Sequence, residues 1–471
     1  MFRHAGLGAL FAGLLVAGPW AARGTPARAQ LAAPLPTIDL FFRAVSLNPA
    51  VGDAALSEIA AGWKNGYAGM ILDQAEMMRR GALGNPLGLV RYERLMQFLA
   101  QQTGQRFGDN LAQWRDWLWN QPYDPHPGYG AFKGALYASI DPRFEEFFKE
   151  PLKTSIRLDQ VDWGGVTVNG IPPLKSPKHI PASAATYLRD SNIVFGVDQG
   201  GEARAYPKRI LAWHELALDR VGGTDITLVY CTLCGTVIPY NNRVGGMTYT
   251  FGTSGLLYNS NKLMFDRDTH SLWSSLDGTP VIGPLVGTGL HLSLLSVVTT
   301  TWAEWRREHP ETTVLSLDTG YTRDYSEGAA YHDYFATDRL MFQVAKFDDR
   351  LRNKDEVLVA RPAGAVGAKP LAIAARFLQA HRVYQVPAAN PPLAVVTTAA
   401  GANRVYAAGS HVFTAGADDD HLVDADGHQW VVKESQLQSA QDPSLVLPRV
   451  PAHRSFWFAW FAQHPDTQLI Q

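Results

Sequence analysis

Apolar positions in the first third of the chain recur at helical spacing. Leu56, Ile59, Ala60 and Trp63 fall on one stripe, and Val90, Leu95, Phe98 and Leu99 suggest a second. Such spacing places side chains on one face of a helix with 3.6 residues per turn. Asp109 has the short acceptor side chain of an N-cap, for a helix carrying Trp114, Trp117 and Leu118. The stretch Asn120 to Gly130, rich in Pro and aromatic residues, reads as an ordered connector, and its neighbouring Trp residues read as core. From Trp163 onward the texture changes. Short β-prone runs such as Ile193 to Gly196, Asp225 to Tyr230 and Met247 to Phe251 alternate with turn signals, and Gly222-Gly223 and Gly245-Gly246 sit in hairpin positions. One further helix is expected around Thr300 to His309.

The predicted class is therefore α+β: an N-terminal helical segment followed by a β-rich domain built from two degenerate copies of one module. A chain of 471 residues exceeds one ordinary core. The expected boundaries are 30–150 for the helical region, 151–350 for the β-rich module with the cysteines, and 351–471 for the second copy. The repeat rests on several matches in the same order. Leu228 to Gly235 is echoed by Ala394 to Gly401, and Tyr240 by Tyr406. Ala205-Tyr206-Pro207 matches Ala368-Lys369-Pro370, and Trp273 pairs with Trp430. Trp305, His309, Pro310 and Thr312 match Trp460, His464, Pro465 and Thr467. This alignment sets Cys231 against Thr397, Cys234 against Ala400 and His214 near Phe377. The second copy then lacks both thiols and the imidazole, while His309, retained as His464, suits a shared structural role.

Composition narrows the setting. A net charge of −2, from 42 basic and 44 acidic residues without a long basic run, argues against nucleic acid as a partner. The first 29 residues have an export pattern: basic Arg3 and His4, an uncharged apolar run from Ala5 to Gly18, and Ala27-Arg28-Ala29 as the cleavage signal. The apolar run is short for a hydrocarbon core of roughly 30 Å. The expectation is cleavage near Ala29 and a periplasmic or secreted protein with no stable membrane span.

The chain has only two cysteines, Cys231 and Cys234. One bridge closing so short a loop restricts little of the unfolded chain, so these thiols point to chemistry rather than stapling. Each is flanked by a β-run, and Gly235 follows the second. That strand–Cys-x-x-Cys-Gly–strand arrangement resembles a metal knuckle more than a motif at a helix N-terminus. His214, in Trp213-His214-Glu215, is the third candidate ligand, and Glu215 is placed to orient it or to carry protons. Ser254 lies in a Gly-x-Ser-Gly run that is not a hydrolase elbow. Ser254, Tyr258, Asn259, Met264 and Asp266 are candidate pocket residues.

Several segments together resemble one family. They are Val166 to Pro173, Gly201 to Pro207, Trp213-His214-Glu215, Tyr230 to Gly235, Phe251 to Ser260 and Leu272-Trp273-Ser274. The pattern is similar to the bacterial and archaeal domain of unknown function 3179, strongly over Trp163 to Leu317. Thr232 departs from the Pro that usually follows the first Cys there. The resemblance implies no particular reaction.

From the residues, the leading expectation is a copper or zinc site formed by Cys231, Cys234 and His214, because thiolates with an imidazole suit those ions. An open fourth position would make it a metalloenzyme. The alternatives are a thiol–disulfide redox protein using the same pair, and a non-enzymatic binding scaffold.

Overall fold

The computed structural model describes residues 35–81, 86–360 and 369–471. The expected export segment, 1–29, lies outside them. Among the described residues no helix is long and apolar enough to cross a membrane.

Helices Ile38–Ala44, Pro49–Ala61, Ala68–Gly81, Pro86–Thr103, Leu111–Trp119 and Tyr129–Ala138 form the N-terminal region. Leu56, Ile59, Leu95, Phe98 and Leu99 enter one core, as their spacing predicts. Val90 does not; it is 53% exposed, because the step of five from Val90 to Leu95 leaves the stripe. The cap also differs by one residue: Asn110 Oδ1, not Asp109, accepts from the Gln113 amide at 3.1 Å. Both side chains suit the role, and the chain's entry into the helix chooses between them.

This helical layer packs on a five-stranded sheet ordered Val161–Trp163, Phe251–Tyr258, Asn261–Asp266, Leu272–Ser274 and Pro280–Ile282. Leu256, Leu263, Phe265 and Ile282 supply the sheet side of the shared core. Tight turns set the registers of the hairpins. Gly222 and Gly223 both have positive φ between Val221 and its partner Thr224. A Cβ on Gly222 would lie 1.8 Å from the Gln199 carbonyl oxygen, so only glycine fits there. The expected helix is Trp302–Glu308, with Thr301 Oγ1 as its cap.

Two further sheets share a four-strand order with the same senses, and the first adds a fifth strand, His179–Pro181, antiparallel to Thr313–Leu315. One runs Val298–Thr301, Ile193–Gln199, Glu202–Pro207, Thr313–Leu315, with antiparallel, antiparallel and parallel pairings. The other runs Ala452–Phe456, Glu356–Ala360, Leu371–Ala374, Gln468–Ile470, with the same three. The matched residues hold matched contacts. Trp305 donates to Thr312 Oγ1 and Trp460 to Thr467 Oγ1, each at 2.9 Å. His309 and His464 lie on those two indoles, with ring centroids at 3.9 and 4.2 Å. Trp273 and Trp430 donate to Asp266 and Asp424 at 2.9 and 3.0 Å.

Strand register changes three of the sequence correspondences. Thr313 pairs with Arg204 and Gln468 with Leu371, which sets Ala205 against Ala372 rather than Ala368. The Tyr230 amide donates to the Glu215 carbonyl and the Thr397 amide to that of Arg382, both at 2.7 Å. When the two sheets are compared by register, His214 therefore stands opposite His381 rather than near Phe377. Thr398, not Thr397, stands where Cys231 does. The turn after Thr397 is one residue shorter than the cysteine turn, as the pairs Tyr230–Val237 and Thr397–Asn403 show. An ungapped comparison anchored at Tyr240 and Tyr406 slips there.

A buried charge network links the two sheet systems. Arg404 lies between Glu308 at 2.5 Å and Glu434 at 2.7 Å, and Arg449 meets Glu434 at 3.0 Å. Burial raises the Glu434 carboxyl, but Arg404 and Arg449 outweigh it and bring it down to about 2. Arg404→Met leaves Glu308 without its buried cation and Glu434 with Arg449 alone, so it should cost about 3–5 kcal/mol at neutral pH. Because the folded value lies below the unfolded one, Glu434's contribution is full above the ordinary carboxylate range. It is lost as pH falls toward about 2. Urea unfolding of both proteins at neutral and low pH should show the difference between them shrinking as acid is added.

Candidate functional site

The cysteine turn joins the paired strands Thr224–Cys231 and Thr236–Asn241, with Cys231 opposite Thr236. The Cys234 amide donates to the Cys231 carbonyl at 3.1 Å, and Gly235 follows at φ +60°. A Cβ on Gly235 would meet the Phe456 ring at 2.8 Å, so that glycine lets the strand Ala452–Phe456 close over the turn. The Phe456 amide donates to the Cys234 carbonyl at 2.8 Å, and Thr236 Oγ1 donates to Ser455 Oγ at 2.9 Å. Tyr334 donates to the Leu233 carbonyl, also at 2.8 Å. The turn is thus held by residues far along the chain.

Cys231 and Cys234 are disulfide-bonded, with a Cα–Cα distance of 5.2 Å. Their surroundings differ. Cys234 is fully buried, and its sulfur lies 3.7 Å from the Ser260 carbonyl oxygen. Cys231 lines a cavity of about 60 Å³. Apolar side chains make most of the wall, including Val166, Ile171, Leu256, Met341 and Phe342. The charged groups are Glu215 and Lys262, and Thr232 and Tyr331 complete the polar side.

Glu215 follows the helix Lys208–His214 in a left-handed conformation, φ +59°. This conformation is uncommon for a side chain of its size. Its carboxylate accepts from Thr232 Oγ1 at 3.0 Å and Tyr331 Oη at 3.4 Å, and it forms an ion pair with Lys262. Lys262 Nζ also donates to the Tyr230 carbonyl at 3.3 Å. Both members of the pair are buried. Desolvation pushes the Lys262 ammonium below its ordinary range against the pull of Glu215. Burial, followed by the charge of Glu215, pushes the Tyr331 phenol up.

His214 has other partners. Its Nδ1 lies 2.8 Å from the Pro172 carbonyl oxygen, which requires an N–H there. Nε2 then accepts from Tyr325 Oη at 2.5 Å. The ring is fully buried, and desolvation lowers its pKa. Of the three expected metal ligands, His214 is thus hydrogen-bonded at both ring nitrogens, while Cys231 and Cys234 are bonded to one another. Among the described residues, possible metal-ligand groups lie elsewhere, at Glu308–His309–Glu434 and Asp424–Asp426–His428.

The other candidates have structural contacts. Ser254 Oγ donates to the Leu263 carbonyl at 2.5 Å and accepts from the Leu256 amide at 3.0 Å, bracing a bulge beside the cavity. Met264 lies in a core with Trp273, and Asp266 holds the Trp273 indole. Tyr258 precedes the hairpin turn Asn259–Ser260, and both turn residues have positive φ. Asn259 Oδ1 accepts from the Ala345 amide at 3.0 Å. Of the other expected site residues, only Glu215 joins Cys231 at the cavity. Lys262, Tyr331, Met341 and Phe342 were not anticipated. Lys262 lies in the fully buried strand Asn261–Asp266, and local sequence does not reveal that burial.

A family model described as a protein of unknown function (DUF3179) matches residues 168–467, well over half of the chain. No curated protein and no solved structure matches it.

Lys262→Met should destabilise the fold by about 3–5 kcal/mol, since Glu215 would remain as a buried, uncompensated charge. The double variant Lys262→Met/Glu215→Gln should recover most of that loss. Denaturant midpoints of the three proteins test this directly: equal losses in the single and double variants would contradict it.

Proposed function

The chain belongs to the DUF3179 family, and from that premise we propose that it is a thiol–disulfide redox protein, with Cys231 as the reacting sulfur and Cys234 as its resolving partner. The observation that carries this reading is the asymmetry of the pair: the bonded cysteines present only Cys231 to a cavity that also holds Glu215 and Lys262. Exchange proceeds by thiolate attack on the more accessible sulfur, and the other sulfur leaves. Reduced Cys234 would have the Ser260 carbonyl as an acceptor. The ammonium of Lys262 favours a thiolate at Cys231, a role that a helix N-terminus performs in other dithiol sites. Glu215 is placed to exchange a proton at the same cavity.

The proposal includes a periplasmic or secreted location, an oxidising setting in which such a pair persists. It also takes the four strands that the two sheets share as copies of one module, supported by the matched Trp–Thr and Trp–Asp contacts. On that view the second copy supports the reactive turn of the first through Phe456 and Ser455.

The test is thiol counting with elemental analysis on protein purified without reductant. The expected result is no reactive thiol before treatment with dithiothreitol and both thiols afterwards, with no stoichiometric metal in either state. Cys234→Ser should accumulate a mixed disulfide at Cys231, whereas Cys231→Ser should leave a slowly alkylated Cys234. Free thiols in the native protein with near-stoichiometric copper or zinc would replace the redox reading with the metal one.

A further inference from the structure

Resting on the redox reading above, we infer that the guest of the Cys231 cavity is a low-molecular-mass thiol with an unbranched apolar stem, and that Lys262 is the positioning residue that draws its sulfur onto Cys231.

Size is the first argument. A cavity of about 60 Å³ has room for only a few small groups, a single water needing roughly 10–15 Å³ on the same measure. Attack requires the two sulfurs to reach bonding distance, yet Cys231 is only 4% exposed and Cys234 not at all. A cysteine on the surface of a folded protein cannot follow the sulfur into that recess. The wall is the second argument. Val166, Ile171, Leu256 and Phe342 suit an alkyl stem and offer no partner to a polar one. Charge is the third. An ammonium has three donors, and Lys262 directs two of them to Glu215 and to the Tyr230 carbonyl. The third is available to an anionic sulfur within the cavity.

The exchange balances without another reagent. The guest thiol loses its proton and attacks Cys231, forming a guest–Cys231 bond as the Cys231–Cys234 bond breaks. Cys234 departs with the electron pair and takes up a proton. A second guest thiolate attacks the first guest's sulfur, a guest disulfide leaves, and Cys231 is protonated in turn. Two guest thiols lose two electrons, and the protein disulfide gains them.

The experiment measures reduction of the disulfide in the full chain by 1-propanethiol, 2-methyl-2-propanethiol, glutathione and a reduced protein thiol. Each rate is divided by that of the same thiolate on an exposed peptide disulfide, which removes intrinsic reactivity. The linear thiol should lead by about tenfold or more, the scale on which a close-fitting pocket discriminates. Phe342→Ala should narrow its lead over the branched thiol and glutathione. For Lys262, the pH midpoint of Cys231 alkylation in Cys234→Ser should rise when Lys262→Met/Glu215→Gln is added, and Lys262→Arg should bring it back toward the parent value. Equal normalised rates for all thiols would overturn the guest assignment while leaving the redox reading intact. An unchanged alkylation midpoint would overturn the role of Lys262. A disulfide that no thiol reduces in the folded protein, but that is reduced once the chain is unfolded, would remove the redox reading itself.

Discussion

The buried ion pair between Glu215 and Lys262 is the contact on which the cysteine cavity depends. It ties the end of the helix Lys208–His214 to the strand Asn261–Asp266, and Thr232 and Tyr331 add hydrogen bonds to the same carboxylate. Two charges away from water are costly unless each is closely paired and its remaining donors and acceptors are satisfied. Here each extra partner comes from another segment: the cysteine turn, the connector Tyr331, and the carbonyl of the cysteine strand. The charge can stay buried only if those segments keep their places, so the pair orders the site as well as electrifying it.

The cysteine turn is equally dependent on distant chain. Gly235 lacks the side chain that would collide with Phe456, and the turn carbonyls of Leu233 and Cys234 accept from Tyr334 and Phe456. Residues between Leu315 and Glu356 contain one short helix, His332–Phe335, yet supply Tyr331, Met341 and Phe342 to the cavity and Tyr325 to His214. This connector follows the last strand of one sheet system and leads into the next, closing the site on its way. Its irregular backbone suits that role, since a regular element would present fewer side chains to one small recess.

His214 and the cysteines occupy neighbouring sequence motifs but separate environments. The imidazole acts as a bridge from Pro172 to Tyr325, and Tyr325 is held in turn by Thr319 at 2.6 Å. It fixes the helix end from which Glu215 departs. A residue that reads as a metal ligand by type thus also orients its neighbour, while the charged partner of that neighbour comes from a strand that local motifs do not identify.

The sequence by itself determined the order of elements. Helical stripes such as Leu95, Phe98 and Leu99, glycine pairs at hairpin turns, and a thiol pair between two β-runs are local features, set by sterics and periodicity within a few residues. The Trp305–Thr312 and Trp460–Thr467 correspondences were legible for the same reason, since each is a contact at short separation. Tertiary structure alone decided which thiol is accessible, that Lys262 meets Glu215, that His214 faces Tyr325, and that His381 stands at the position of His214. These depend on pairings across long loops and on a one-residue difference in a turn. Spacing along the chain does not encode distance across a sheet; only hydrogen-bond register and the exclusion of water from buried charges settle it.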